Sequence, residues 1–258
     1  MEKKGGGIRP IAIGCTLRRL AAKVAGNKVM NEMAALLSSC QLGYGVSKGA
    51  EAAVHTVRCY IKSLDSSRVL IKLDFKNAFN SVRRDKMLKA VQQLAPSIFP
   101  FVHSAYSSPS SLYWCDKIIQ STEGVQQGDP LGPLLFCLSL HSVCCLLRSE
   151  LRVFYLDDGT LGGSLEDIAH DLELIKKEAC DIGLELNTNK SEVISINESL
   201  LKSVQSILPG IREVDPAKAT LRGSPIGDTT DAICAKTSFL KLLVPKLLYC
   251  LRTYPCFL

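Results

Sequence analysis

The residues best placed to do chemistry are Asp157 and Asp158, adjacent carboxylates in the stretch Arg152-Val-Phe-Tyr-Leu-Asp-Asp-Gly-Thr-Leu-Gly162. Apolar residues lead into the pair, Gly159 follows it, and Thr160 and Leu161 lead away. An Asp-Gly step between two apolar runs is a strong local signal for a β-hairpin, because glycine tolerates positive φ in a tight turn. Two carboxylates at a hairpin tip are held rigidly, close together and away from the hydrophobic face, which suits a divalent cation. Turn formation alone accounts for Asp158-Gly159 equally well, so this pair does not decide the matter. A third carboxylate, Asp74, closes the apolar run Val69-Leu-Ile-Lys-Leu-Asp-Phe75. Three carboxylates without His or Cys form a hard oxygen donor set that favours Mg²⁺ or Mn²⁺ over zinc. Two such ions about 3.5–4 Å apart activate an attacking oxygen and stabilise a leaving one in phosphoryl transfer. Nucleases, phosphatases and polymerases share that device.

Asp74 is distant from Asp157 in sequence, and only the fold can join them. Residues 69–75 read as a buried strand, and 76–80 turn the chain into a helix that runs to about residue 94. A strand pair is predicted over 112–122, followed by a polar loop at 124–129 and an apolar helix whose first turn holds Pro130. After the hairpin, Ser164-Leu-Glu-Asp167 reads as a capping box. Its helix carries Ile168, Leu172, Ile175 and Ala179 on one face, and Gly183 is placed to end it. Strands are predicted at 184–186 and 192–196. The order strand–helix–strand–strand–helix–strand over 69–196 is that of an α+β, ferredoxin-like split βαβ unit, an antiparallel sheet with helices on one face. In that topology the first strand neighbours the central hairpin, and the three carboxylates converge on one edge. Outside this unit, the sequence predicts a glycine-rich turn and short strand over 1–14. Helices follow at 17–37 and 51–64, separated by a loop at 41–49, and further helices at 199–208 and 232–249.

The whole chain sets the frame. At 258 residues, with 47% apolar and 22% charged residues, the composition is globular and excludes a disordered chain. A net charge of +6 is a mild basic bias, compatible with a polyanionic partner. The eleven cysteines are odd in number and include no Cys-x-x-Cys pair, so they read as reduced, buried thiols in an intracellular protein rather than as zinc ligands. The expected location is the cytoplasm or nucleus, with no secretion and no membrane span: the most apolar stretch, 130–147, is interrupted by Gly132, Pro133, Ser139, His141 and Ser142.

Four segments occur in order: Leu73-Asp-Phe-Lys-Asn-Ala-Phe-Asn-Ser-Val82, Glu123-Gly-Val-Gln-Gln-Gly-Asp-Pro-Leu-Gly-Pro-Leu-Leu-Phe136, Phe154-Tyr-Leu-Asp-Asp158 and Gly183-Leu-Glu-Leu-Asn-Thr-Asn-Lys-Ser191. With Ile8-Arg-Pro-Ile11 and Pro245-Lys-Leu-Leu-Tyr-Cys-Leu-Arg252, they resemble the reverse transcriptase family, particularly the polymerases of non-LTR retrotransposons. The resemblance implies RNA-directed DNA polymerisation, with deoxynucleoside triphosphates added to a primer on an RNA or DNA template. It makes Asp74, Asp157 and Asp158 the ligands of two Mg²⁺ or Mn²⁺ ions. Lys190 matches a general acid for the departing pyrophosphate, and Arg9 a residue that approaches the triphosphate. Phe79 falls at the steric gate that selects deoxynucleotides; read without the family, it is a core residue of the helix. Phe75, Gln127 and Gly128 fall in the nucleotide site, while Lys72 and Lys76 are expected to meet nucleic acid or solvent.

The resemblance also implies a division of the chain. Residues 1–66 and 83–120 would form partial fingers, 67–82 and 121–210 the palm, and 211–258 the end of the palm with a possible start of the thumb. Fingers of the family begin further upstream and a thumb extends further downstream, so the chain is expected to be a fragment or degraded copy of reduced activity. Three other readings fit the same carboxylates: a non-catalytic nucleic-acid-binding relic, a metal-dependent hydrolase, and a polymerase like the group II intron maturases.

Overall fold

A computed structural model describes residues 11–227 of the chain. Two helices, α1 (Thr16–Leu37) and α2 (Gly49–Lys62), precede the strand β1 (Arg68–Leu73). A short helix, α3 (Ala78–Ser81), leads to α4 (Arg84–Leu94) and α5 (Phe99–Tyr106), and then to a hairpin of β2 (Ser110–Trp114) and β3 (Lys117–Ser121). Next come α6 (Gly132–Leu146), the hairpin strands β4 (Leu151–Tyr155) and β5 (Asp158–Ser164), and α7 (Leu165–Asp181). The described chain closes with β6 (Glu192–Ile194), α8 (Glu198–Ile207), β7 (Arg212–Glu213), and a small hairpin of β8 (Thr220–Leu221) and β9 (Ser224–Pro225).

The main sheet has the order β4-β5-β1-β6-β7, antiparallel except for the β6–β7 pair. Its first four strands have the arrangement that the split βαβ pattern predicts. β1 can lie at the centre because its apolar run is continuous and serves both faces. Val69, Ile71 and Leu73 enter the larger core with residues of α1, α4, α6 and α7, whereas Leu70 enters a second cluster with Val54, Val57 and Tyr60 of α2. Both sheet faces are therefore covered, the second by α2 and the β8–β9 segment. Each fully buried Val, Leu or Ile contributes roughly 1.5–3 kcal/mol, so β1 is a main anchor of the fold.

Several local expectations hold. The Ser164 side chain accepts from Asp167 N at 3.2 Å and caps α7, whose residues Ile168, Leu172, Ile175 and Ala179 are buried, and Gly183 follows the helix at φ 85°. Others need correction. Residues 11–13 are not in a strand, although Ala12 N donates to Gln127 O at 2.8 Å. α6 starts two residues later than expected, with Pro133 rather than Pro130 in its first turn. Residues 184–186 form only an isolated bridge, Leu186 to Phe75. Of the eight cysteines among the described residues, all are free; Cys40, Cys137 and Cys144 are buried and the other five are exposed. No helix among the described residues is long and apolar enough to cross a membrane. The strand at 8–10, Arg9, the helix at 232–249 and the motif at 245–252 lie outside the described residues.

Candidate active site

Strand register brings the carboxylates to one edge. β1 and β5 pair Leu73 with Gly159, and β4 and β5 pair Tyr155 with Asp158. Asp74 lies one step beyond the last paired position, near enough to Asp158 for its charge to act on that carboxyl. Asp157 lies in the turn between β4 and β5, which is made by Leu156 and Asp157. The sequence reading placed that turn at Asp158-Gly159, and this is corrected: Leu156 takes the positive φ, 58°. Gly159 sits inside β5, where a Cβ would stand 2.7 Å from Cε1 of the Phe154 ring. Glycine is needed there to make room for a ring.

The main chain of Asp74 is fixed from the other side. Its N donates to Ser191 Oγ at 3.2 Å, and Asn187 N donates to its O at 2.7 Å. Residues 188–190 between these anchors form a single 3₁₀ turn, so the bonds that hold Asp74 also deliver Lys190.

Two recesses flank this edge. A cleft of about 260 Å³ is lined by Asp74, Phe75, Lys76, Phe79, Gln127, Asp157 and Lys190, among others. Asp158 faces a second recess of about 190 Å³, which it shares with Lys72, Glu192 and Arg222 and which Asp74 and Lys190 also line. Arg222 Nη1 donates to Asp158 Oδ2 at 2.6 Å, and its guanidinium lies 3.8 Å from the centroid of the Tyr155 ring. Burial raises the Asp158 carboxyl above its ordinary value; Arg222 opposes that shift and Asp74 adds to it. No local pattern marks Arg222 in the sequence, because its contact with Asp158 spans 64 residues.

The other candidates divide. The Phe79 ring stacks on Phe136 with centroids 4.6 Å apart, and it is both packed on the core and a wall of the cleft. Phe75 lines the cleft but is only 4% exposed, which leaves little of its ring for a ligand. Gln127 faces the cleft, whereas Gly128 is not among its lining residues. Gly128 has φ 115°, and a Cβ on it would meet Ala12 O at 2.5 Å, so it serves the approach of the 11–13 segment. Lys72 pairs with Glu192 and donates to Thr220 O, and Lys76 pairs with Glu185, so both ammonium groups have protein partners.

Among the described residues no group of three or more His, Cys, Asp and Glu side chains is gathered for a metal ion. The cleft still fits a hard cation. The carboxylates that line it are Asp74 and Asp157, and Mg²⁺ is commonly held by one or two carboxylates with substrate phosphates and water completing its shell.

A split βαβ sheet with carboxylates at the edge of its central strands is the arrangement of a polymerase palm. The family described as reverse transcriptase (RNA-dependent DNA polymerase) matches residues 1–225. The chain therefore belongs to the reverse transcriptase family, and the relatives it matches are proteins of non-LTR retrotransposable elements. It is 27% identical over 207 residues to the retrotransposable element SLACS 132 kDa protein of Trypanosoma brucei gambiense, a match covering 76% of this chain and 17% of that protein. It is 26% identical over 218 residues to the Pol polyprotein from type-1 retrotransposable element R2 of Popillia japonica, covering 74% of this chain and 30% of that one. The chain thus spans less than a third of the length of either relative. Among solved structures, telomerase from Candida albicans aligns with a TM-score of 0.50 at 12% identity, covering 69% of this chain and 35% of that chain. Telomerase from Candida tropicalis aligns with a TM-score of 0.50 at 14% identity, covering 81% and 35%. At such identities the likeness concerns the fold alone.

Proposed function

We propose that this chain catalyses RNA-directed DNA synthesis: on a primed template it transfers a deoxynucleoside monophosphate from the triphosphate to the primer 3′-hydroxyl and releases pyrophosphate. The observation that carries this reading is one cleft lined together by Asp74, Asp157, Phe79, Gln127 and Lys190. A hydrolase needs the carboxylates but leaves the ring, the amide and the cation around them without a task. In the same reading, residues 67–82 and 121–210 form the palm, 1–66 and 83–120 belong to the fingers, and 211–258 lead towards the thumb.

Asp74 and Asp157 would hold divalent ions, Mg²⁺ or Mn²⁺, and Asp158 adds negative charge from the adjoining recess. Two such ions, when bound, neutralise the triphosphate and activate the attacking hydroxyl. Phe79 lies against the sugar of the incoming nucleotide and leaves no room for a 2′-hydroxyl, while Gln127 packs beside it. As the bond from primer oxygen to α-phosphorus forms, the hydroxyl proton passes to solvent; as the bond to pyrophosphate breaks, Lys190 Nζ supplies a proton to the leaving oxygen. The chain's own contribution is placement and charge rather than covalent catalysis.

Primer extension on an RNA template tests this. Asp157→Asn is expected to lower the rate on the order of 100-fold or more, the scale on which one charge-stabilising group is felt. Extension that persists at the wild-type rate in Asp157→Asn sinks the assignment.

A further inference from the structure

The turn that carries Asp157 is built on an unfavourable residue. Leu156 stands at φ 58°, a conformation that L side chains resist and that hairpin turns ordinarily give to glycine. β4 is also the edge strand of its sheet, so the outer rim of the turn has no strand to lean on. What it has is Gln41. This residue is 2% exposed, and its side-chain amide answers both polar groups of Leu156. Gln41 Oε1 accepts from Leu156 N at 2.7 Å, and Nε2 donates to Leu156 O at 3.2 Å. The same Oε1 accepts from Gly43 N at 3.0 Å. The main chain around Gln41 is fastened to β4 as well: Phe154 N donates to Cys40 O, and Leu42 N donates to Phe154 O, each at 2.7 Å. Gly43 closes the contact so tightly that a Cβ on it would stand 2.6 Å from Leu156 N.

We propose that Gln41 is a positioning residue for the catalytic turn: its amide acts as a substitute peptide that holds Leu156 in the left-handed region and so fixes where Asp157 stands in the cleft. The role depends on the reading of Asp157 given above. Gln41 itself touches neither substrate nor the reacting atoms. Two bonds to one residue's N–H and C=O leave that residue little freedom to relax, whereas a single bond would leave it free to pivot. Loss of the clamp lets Leu156 return towards negative φ, which rotates the following peptide and swings Asp157 away from Asp74.

The test joins two substitutions. Gln41→Met keeps size and burial but removes all three side-chain hydrogen bonds. Leu156→Gly removes the reason a clamp is needed, since glycine takes positive φ without strain. In single-nucleotide primer extension, Gln41→Met is expected to lower kcat about 10- to 100-fold with the KM for the nucleotide moving less than about threefold, the cost of misplacing one group by around 1 Å. The double variant is expected to recover to within about threefold of Leu156→Gly alone, because the two changes act on one conformational preference. A role in packing alone would make the two losses multiply instead. Hydrogen–deuterium exchange over 152–158 reads the clamp without any chemistry: Gln41→Met should speed exchange of the Leu156 amide about tenfold or more. Should Gln41→Met fail to fold, Gly43→Ala attacks the same contact from the opposite side and should give the same kcat-specific loss. Unchanged exchange, or a double variant no better than Gln41→Met, overturns the role of Gln41. Exchange that responds as expected while extension ignores Asp157→Asn overturns the catalytic reading and leaves the clamp standing.

Discussion

Phe79 belongs to two surroundings at once. Its ring lies nearly parallel to Phe136, at 15°, yet remains partly exposed on the cleft wall. A ring backed by another ring cannot swing aside, which is what a steric limit on the sugar requires. Phe79→Ala should therefore raise ribonucleotide incorporation relative to deoxynucleotide incorporation on the order of 10- to 100-fold, read as a ratio of kcat/KM values. An unchanged ratio would leave Phe79 with packing alone. The structure places Phe79 both on the core and on the cleft wall, and the incorporation ratio decides whether it is also a gate. The carboxylate pair was less legible. Local propensity pointed to Asp158-Gly159 as the turn, but Leu156 occupies the strained position because Gln41, 115 residues away, satisfies it. A conformation held by a distant partner leaves no trace in its own neighbours' propensities.

At the level of elements, the strands and helices that convey the site were plain in the sequence because their apolar periods are strong. β1 is a continuous apolar run, α7 has a capped start and a regular buried face, and α1 and α2 were placed to within two residues. The gaps lie where period is lost: α5, which begins with Phe-Pro-Phe after a 3₁₀ turn, matches no expected element, and 184–186, read as a strand, makes only an isolated bridge. One contact that no period reveals joins α7 to the start of β4. The Asp171 carboxylate is fully buried and accepts from Arg148 N, Ser149 N and Ser149 Oγ, with His170 Nδ1 at 3.1 Å. Burial alone would push this carboxyl up, but the bonds from Ser149, Arg148 and His170 together hold it below its ordinary value. A carboxyl lowered in the folded state stabilises fully above its unfolded pKa, about 3.9, and loses that contribution as pH falls through the folded value. Asp171→Asn should therefore cost about 1.5–3 kcal/mol at pH 7, the range for hydrogen bonds to a charged group. The gap from wild type should narrow below about pH 4, which urea unfolding at pH 7 and pH 3 would measure. A gap that stays constant with pH would show that the ionised form has no special role.

For the whole molecule, the net charge of +6 does not say which basic side chains a polyanion would meet. Lys72, Lys76, Lys86 and Arg83 are engaged with Glu192, Glu185, Asp181 and Asp85. Arg19 and Lys23, one helical turn apart on α1, are exposed and form no ion pair with another described residue. The start of α1 also borders the loop that supplies Gln127 to the cleft: Arg18 pairs with Asp129, and Arg18 and Arg19 line a small recess with Gln126. A nucleic acid lying in the cleft would pass this end of the helix. Each neutralised phosphate adds about 0.7–0.9 to the slope of log affinity against log salt. Binding of a primed template should therefore weaken steeply between 50 and 200 mM salt, and Arg19→Ala with Lys23→Ala should flatten that slope by about 1–2. Because both side chains stand on an exposed surface, the pair should change stability by no more than about 0.5 kcal/mol each. A flatter slope at unchanged melting temperature then reports lost phosphate contacts rather than lost fold. A slope that does not change would place the path of the nucleic acid elsewhere on the molecule.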